Sequence, residues 1–283
     1  MVVLVTGATG RVGRRVVDRL VEDGVAVRAL TRTPADAALP SAVEVVSGDF
    51  AEPESLDAGL RGVAAVFLVW TLPFASAPAV IERLAANARR VVFLSSPHQT
   101  PHPFFQQPNP AARLHADIER LIVDSGLAWT MIRPGMFDSN VIPWWSRAIK
   151  NSEPVRWPYG AAETAPVDEI DVAAVAAKAL TDDRHAAGDY VVTGPESLSQ
   201  AQQVRIIGEV IGRKIEFEEL SPEEFRDETA TTWPRPVVDM LLAAWRATIG
   251  VPAYVTSTVL DVTGSQPRTF RQWAVDNVSA FTS

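Results

Sequence analysis

The spacing best suited to chemistry is a glycine triplet: Gly7, Gly10 and Gly13 in "VTGATGRVGR", residues 5–14, follow an apolar run and precede a helical pattern. A turn in that place needs backbone angles that a Cβ strains. It also leaves room for a pyrophosphate and ends on the free N–H groups and positive dipole end of a helix. Gly7, Thr9, Gly10, Arg11, Val12 and Gly13 are therefore read as a dinucleotide cradle rather than an ordinary strand-to-helix turn. The next apolar run ends "ALTRTP", with Arg32 and no acid. An acid there favours a free ribose 2′-hydroxyl, whereas a guanidinium grips a 2′-phosphate in two places, so NADP(H) is the expected cofactor. Asp49 and Phe50 close the third run, where Asp49 can reach an adenine amino group and Phe50 can pack beside it; an Asp there also forms turns.

Groups able to move a proton are sparse. There is no cysteine, which excludes thiolate nucleophiles, disulfides and thiolate metal sites, and there are four histidines. His115 lies beside the apolar helical positions Leu114, Ile118, Leu121 and Ile122. Histidine titrates near neutrality, so His115 is the candidate acid, with plain packing as its competing role. His98 and His102 sit in "SPHQTPHPFFQQPNP", where the prolines break the helix a metal pair would need and no third ligand is evident; no metal is expected. His98, Phe104 and Phe105 are assigned instead to a substrate pocket, the two rings covering a flat acceptor or anchoring the loop. Ser95 and Ser96 close the fifth apolar run without any histidine–carboxylate pattern, which disfavours hydrolysis. Val69 and Trp70 close the fourth run and Pro134 to Phe137 follow the sixth; Val69, Trp70, Pro134 and Phe137 are expected along the cofactor, with Trp70 equally suited to the core.

Six apolar runs position these groups: residues 2–6, 25–30, 43–49, 64–70, 90–96 and 128–134, with helical patterns between them. Such alternation predicts βαβ units, and nearly continuous Val/Leu runs predict strands covered on both faces. The expected fold is α/β: a Rossmann-type doubly wound parallel sheet over residues 1–134, then a smaller C-terminal α/β substrate lobe over 135–283, some of whose segments return to the main sheet. Trp144, Trp145, Trp157 and Trp233 appear among prolines in that second part, and Trp144 is assigned to the substrate pocket. Asp171 is expected to cap the helix "VAAVAAKAL". The apolar "VVDMLLAAW", residues 237–245, either covers the site or makes a homodimer contact.

Composition narrows the partners. A net charge of −8 and a pI near 5.1 give no general attraction to nucleic acid or anionic lipid. The chain runs straight into "MVVLVTG", and no run approaches the roughly 20 apolar residues of a membrane span, so a cytoplasmic protein acting on a small molecule is expected.

"TGATGRVG" (6–13), "TRTP" (31–34), "SGDF" (47–50), "VVFLSS" (91–96), "HADIERLIVDSGLAWTMIRPGMF" (115–137) and "VDEIDVAAVAAKAL" (167–180) together resemble the NmrA-like, NAD(P)H-binding group of atypical short-chain dehydrogenases/reductases. The resemblance implies NADP(H) in a cleft between a Rossmann domain and a small lobe. The group spans quinone reductases, isoflavone-reductase-like enzymes, iminium reductases and redox-sensing regulators. Many short-chain reductases use a Tyr-x-x-x-Lys pair, yet none of Tyr159, Tyr190 and Tyr254 is followed by Lys at that spacing. By the resemblance His115 falls where isoflavone-reductase-like relatives keep a lysine, Ala111 where a tyrosine would stand, and Ser95 at the position of a serine near the nicotinamide, so Ser95 is expected at the cofactor. An NADPH-dependent reductase of a quinone, enone or iminium is the leading expectation. A non-catalytic NADP(H) sensor acting through a protein partner is the alternative.

Overall fold

The structure is a computed structural model, described here for residues 1–282. Its first half builds β1 (Val2–Thr6), α1 (Arg11–Glu22), β2 (Ala26–Thr31), β3 (Glu44–Ser47), α2 (Asp57–Leu60), β4 (Val63–Val69), α3 (Ala77–Asn87), β5 (Arg90–Leu94), α4 (Pro110–Asp124) and β6 (Ala128–Pro134). Beyond Gly135 come α5 (Val141–Lys150), β7 (Val155–Pro158), β8 (Glu163–Thr164), α6 (Glu169–Thr181), β9 (Gly188–Val192) and β10 (Leu198–Ser199). The chain ends with α7 (Gln200–Val210), β11 (Phe217–Leu220), α8 (Pro222–Thr229), α9 (Arg235–Ala247), α10 (Thr258–Thr263) and α11 (Phe270–Asp276).

Seven strands form one parallel sheet in the order β3-β2-β1-β4-β5-β6-β9. The two-residue period of a strand splits its apolar side chains between two cores. Val3 and Val5 pack with Val16, Val17 and Leu20 of α1 and with the alanine- and valine-rich face of α6. Leu4 points the other way, into a core with Val80, Ile81 and Leu84 of α3 and Ile118 and Ile122 of α4. Because both faces are covered, the strands read as unbroken apolar runs. This is the doubly wound Rossmann-type α/β fold. Strand order reverses between β1 and β4, and in such sheets ligands lie at the carboxyl edge beside the reversal.

The chain after Gly135 contributes to both bodies. α6 and β9 complete the main sheet, while α5, α7, α8, α9 and α11 pack around β7 and β11, which pair in parallel. Trp157 stands at the centre of this lobe, with ring centroids 5.4 Å from Trp144, 5.5 Å from Trp245 and 4.8 Å from Phe225. The cap of α6 is Asp168, not Asp171: Asp168 is extended and accepts the Ile170 N–H, while Asp171 lies inside the first turn and accepts the Arg268 N–H at 2.7 Å.

Candidate functional site

The glycine loop closes on itself. Gly7 adopts φ +60°, its carbonyl accepts the Gly10 N–H at 2.9 Å, and a Cβ on Gly13 would lie 2.1 Å from that same oxygen. Thr6 donates its hydroxyl to the Phe67 carbonyl and accepts the Val69 N–H, which fixes the loop against the end of β4. The helix start that follows has an extended Gly10 cap, no side-chain cap bond and no acid in its first turn. Its N–H groups are thus suited to an anion.

A groove of about 590 Å³ opens over this loop, lined among others by Gly7, Thr9, Arg32, Asp49, Phe50 and Val69. Arg32 is exposed and has no carboxylate partner among the described residues. Arg14 holds the segment beyond it by donating to the carbonyls of Ala37 and Ala38 at 3.0 and 2.8 Å. Asp49 accepts the Ala51 N–H with one carboxylate oxygen, so it forms a turn as well as bordering the groove. Phe50 stacks on Trp70 at 5.0 Å and 17°. Trp70 itself, 3% exposed, belongs to the core and donates its indole N–H to the Leu72 carbonyl; the Val12 side chain also points inward, leaving only its backbone for a ligand. Arg11 reaches across to donate to Ser139 at 3.0 Å. A crowded glycine turn, an uncapped helix start and a free guanidinium at the second strand together fit a 2′-phosphorylated dinucleotide.

Farther along the carboxyl edge lies a pocket of about 120 Å³, lined by Ser96, His98, Phe104, Phe105 and Met136, and closed by Met240, Leu241 and Ala244 of α9. The "VVDMLLAAW" segment therefore serves two surfaces, since Val238, Leu242 and Trp245 of the same helix enter the lobe core. The two loop histidines diverge: His98 Nδ1 is 2.9 Å from the Ser96 carbonyl, and His102 Nε2 is 3.0 Å from the Pro252 carbonyl, strapping the proline-rich loop to the C-terminal segment. Pro134 ends β6 beside Val192, and Phe137 bridges to Val167. Trp144 is not among the residues around this pocket; it meets Met136 and Phe137 in a narrow cleft, lines a separate groove of about 550 Å³ with Trp157 and Trp233, and stacks on Trp157 at 29°. Its bulk serves the lobe.

His115 also stands back from the pocket, which Ala112, one turn earlier on α4, reaches in its place. The ring packs edge-on to Phe93 at 5.7 Å, and its Nδ1 is buried without a partner. Burial lowers its pKa, opposed by nearby Glu119 and reinforced by His98. Ser95 donates its hydroxyl to Glu119 Oε1 at 2.5 Å. Arg133 clamps the same carboxylate with bonds of 3.0 and 2.7 Å. Arg133 is the one charge in the apolar strand β6 and so carries a signal in the sequence, whereas Glu119 is one of several charges along α4 and carries none.

The NAD(P)H-binding family model matches residues 7–183. A (4-alkanoyl-5-oxo-2,5-dihydrofuran-3-yl)methyl phosphate reductase of Streptomyces griseus is 38% identical, with 99% of both chains covered. An NAD(P)H azoreductase of Xenophilus azovorans is 30% identical over 99% of both. Among solved structures, the NADPH complex of an Escherichia coli NADPH-dependent quinone oxidoreductase superposes with a TM-score of 0.82 at 21% identity, covering 98% of this chain and 99% of that one. The chain belongs to the NAD(P)H-binding family and is an oxidoreductase.

Proposed function

We propose that the protein reduces a small cyclic conjugated acceptor (a quinone, an enone or an iminium) at the expense of NADPH. The observation that carries this reading is the acceptor pocket: Phe104, Phe105, Met136, Met240 and Leu241 supply apolar walls, and His98 is its one titratable lining group among the described residues. Such walls favour a flat, largely apolar ring. The names of the two relatives, one reducing an oxo-dihydrofuran that carries a methyl phosphate and one an azo compound, agree with a conjugated acceptor.

In this reading the loop from Gly7 to Gly13 and the start of α1 hold the pyrophosphate, Arg32 takes the 2′-phosphate, and Asp49 with Phe50 borders the adenine. When bound, the reduced nicotinamide supplies a hydride. The chain's own residues then orient the acceptor, exclude water and supply a proton where the product oxygen needs one; an iminium carbon needs none.

Calorimetric titration with NADPH, NADP+ and NADH, followed by NADPH oxidation assays with menadione, cyclohex-2-enone and N-methyl-3,4-dihydroisoquinolinium, tests the proposal. Turnover with at least one acceptor is expected. Tight but unequal binding of the two redox forms without any turnover would replace it with a nucleotide sensor.

A further inference from the structure

We propose that Asn109 binds the acceptor's oxygen, offering a side-chain amide N–H to the negative charge that arrives there during reduction. The inference rests on the reductase reading above, but it concerns a pocket wall separate from the cofactor loop.

The start of α4 orients this amide. Asn109 is extended (φ −140°, ψ 110°) and Pro110 opens the helix, so the first helical position has no N–H to satisfy. The next two N–H groups, those of Ala111 and Ala112, lie 2.9 and 3.3 Å from Asn109 Oδ1. Only the oxygen of an amide accepts, so the cap bonds dictate which branch of the planar side chain is Oδ1 and which is the NH2 group. Nδ2 has no partner among the described residues and, unlike Ser96 Oγ and His98 Nε2, it is not closed off from solvent. Asn109 lines the acceptor pocket.

The rest of that wall makes the donor count. The side chains of Phe104, Phe105, Met136 and Leu241 offer only apolar surface. His98 Nδ1 faces the Ser96 carbonyl, and Gln107 donates an amide N–H to the Pro103 carbonyl at 3.0 Å. Asn109 is the lining side chain with both amide N–H groups unspent. Its helix adds to their strength: the first turn of α4 holds no acid to offset the positive dipole end, and the two cap bonds draw electron density toward Oδ1. Such a donor is worth more to a charged oxygen than to a neutral carbonyl, and this difference lowers the barrier.

In conjugate reduction of an enone, hydride adds to the β carbon, the C=C π pair moves to join the α and carbonyl carbons, and the carbonyl π pair moves onto oxygen. NADPH is oxidised to NADP+, and the acceptor becomes an enolate whose oxygen takes the Asn109 N–H as a hydrogen bond. The enolate gains its proton at carbon from solvent as it leaves, so Asn109 gives up none. Hydride addition to an iminium instead cancels a positive charge and leaves no anion to bind.

The test uses N109S and N109D, which keep an oxygen able to cap α4 and lack the amide N–H; the serine hydroxyl is too short to replace it. With NADPH saturating, the ratio of kcat for cyclohex-2-enone to kcat for N-methyl-3,4-dihydroisoquinolinium should fall at least tenfold in both variants. Binding of 4-nitrophenolate, read from its absorbance without turnover, should weaken at least tenfold in N109S and further in N109D, which sets a carboxylate against the phenolate oxygen. A smaller change in either quantity for the uncharged N109S overturns the proposal. Should N109S fail to fold, N109T, which also caps without charge, decides. If wild type does not reduce both acceptors, the 4-nitrophenolate comparison alone decides whether this oxygen site exists. Reduction of none of the three acceptors named above removes the reductase reading and leaves that comparison standing.

Discussion

Gly13 has no freedom to change. A Cβ there would sit 2.1 Å from the Gly7 oxygen, inside any real contact distance, so Gly13→Ala must push the cradle open. We expect a stability loss of about 1–3 kcal/mol from overpacking, measured by urea unfolding, together with roughly hundredfold weaker NADPH binding by calorimetry. Arg32 poses the opposite case, an exposed side chain with no carboxylate partner among the described residues and therefore no structural employment. A charge-assisted bond to phosphate is worth about 1.5–3 kcal/mol, so Arg32→Ala should weaken NADPH about tenfold to a hundredfold and NADH by no more than roughly threefold. Equal losses in parallel titrations would remove Arg32 from the phosphate site. The glycine turn and the place of Arg32 just past β2 were legible in the sequence because both are local features of a strand end, independent of where the sheet lies. Trp144 and Glu119 were not. Which way a tryptophan faces, and whether a helical carboxylate is buried beside an arginine from another strand, depend on contacts between segments far apart in the chain.

At the scale of elements, α9 does the work of a wall. Its Val238, Leu242 and Trp245 anchor it in the lobe, while Met240, Leu241 and Ala244 line the proposed acceptor pocket, Leu241 also packing against the lobe core. Leu241 is only partly buried, so Leu241→Ala should leave the lobe folded while removing apolar surface from the pocket. Full burial of such a side chain contributes about 1.5–3 kcal/mol. Steady-state kinetics should therefore show KM for a cyclic acceptor raised about tenfold with the NADPH dissociation constant unchanged; a change confined to NADPH would place the acceptor elsewhere. The same two-sided duty explains which elements the sequence revealed. β1 and β6 are read to the residue, because strands buried on both faces are apolar throughout and end abruptly at glycine or proline. β7, β8 and β10 are short and mix proline, tryptophan and charge, so no periodicity builds up over so few residues. Asp171 was mistaken for a cap because Asp168, Glu169 and Asp171 all offer a carboxylate within one turn, and only the backbone geometry selects Asp168.

Taken as a whole, the molecule carries an acidic seam where the cofactor loop, the start of α6 and the C-terminal segment meet. Asp138 is fully buried with neither carboxylate oxygen partnered. Burial, with Asp168, Glu169 and Asp171 nearby, holds its pKa well above the ordinary carboxylate range. Burial likewise raises Glu169, and it raises Asp171 to about 6. Arg268 binds Asp168 at 2.7 Å and tempers the seam, while Ser139, which bonds to Glu169, also accepts from Arg11 of the cofactor loop. A carboxyl group whose folded-state pKa is raised binds its proton more tightly in the folded protein than in the unfolded one. Its contribution is intact below the unfolded pKa, near 4, and is lost as pH rises through the folded value. For Asp171 that loss runs from about pH 4 to about pH 6 and saturates above it; for Asp138 it continues higher. Asp138→Asn removes the larger of these costs without changing side-chain size. The variant should therefore match wild type in thermal unfolding near pH 4 and exceed it by several degrees at pH 8, with the gap opening progressively between. A gap that stayed constant across the range would mean that Asp138 is held by packing and not by its proton. A variant less stable at pH 8 would mean that the seam, despite its surplus of acids, uses the Asp138 carboxylate to hold the cofactor loop against the C-terminal segment.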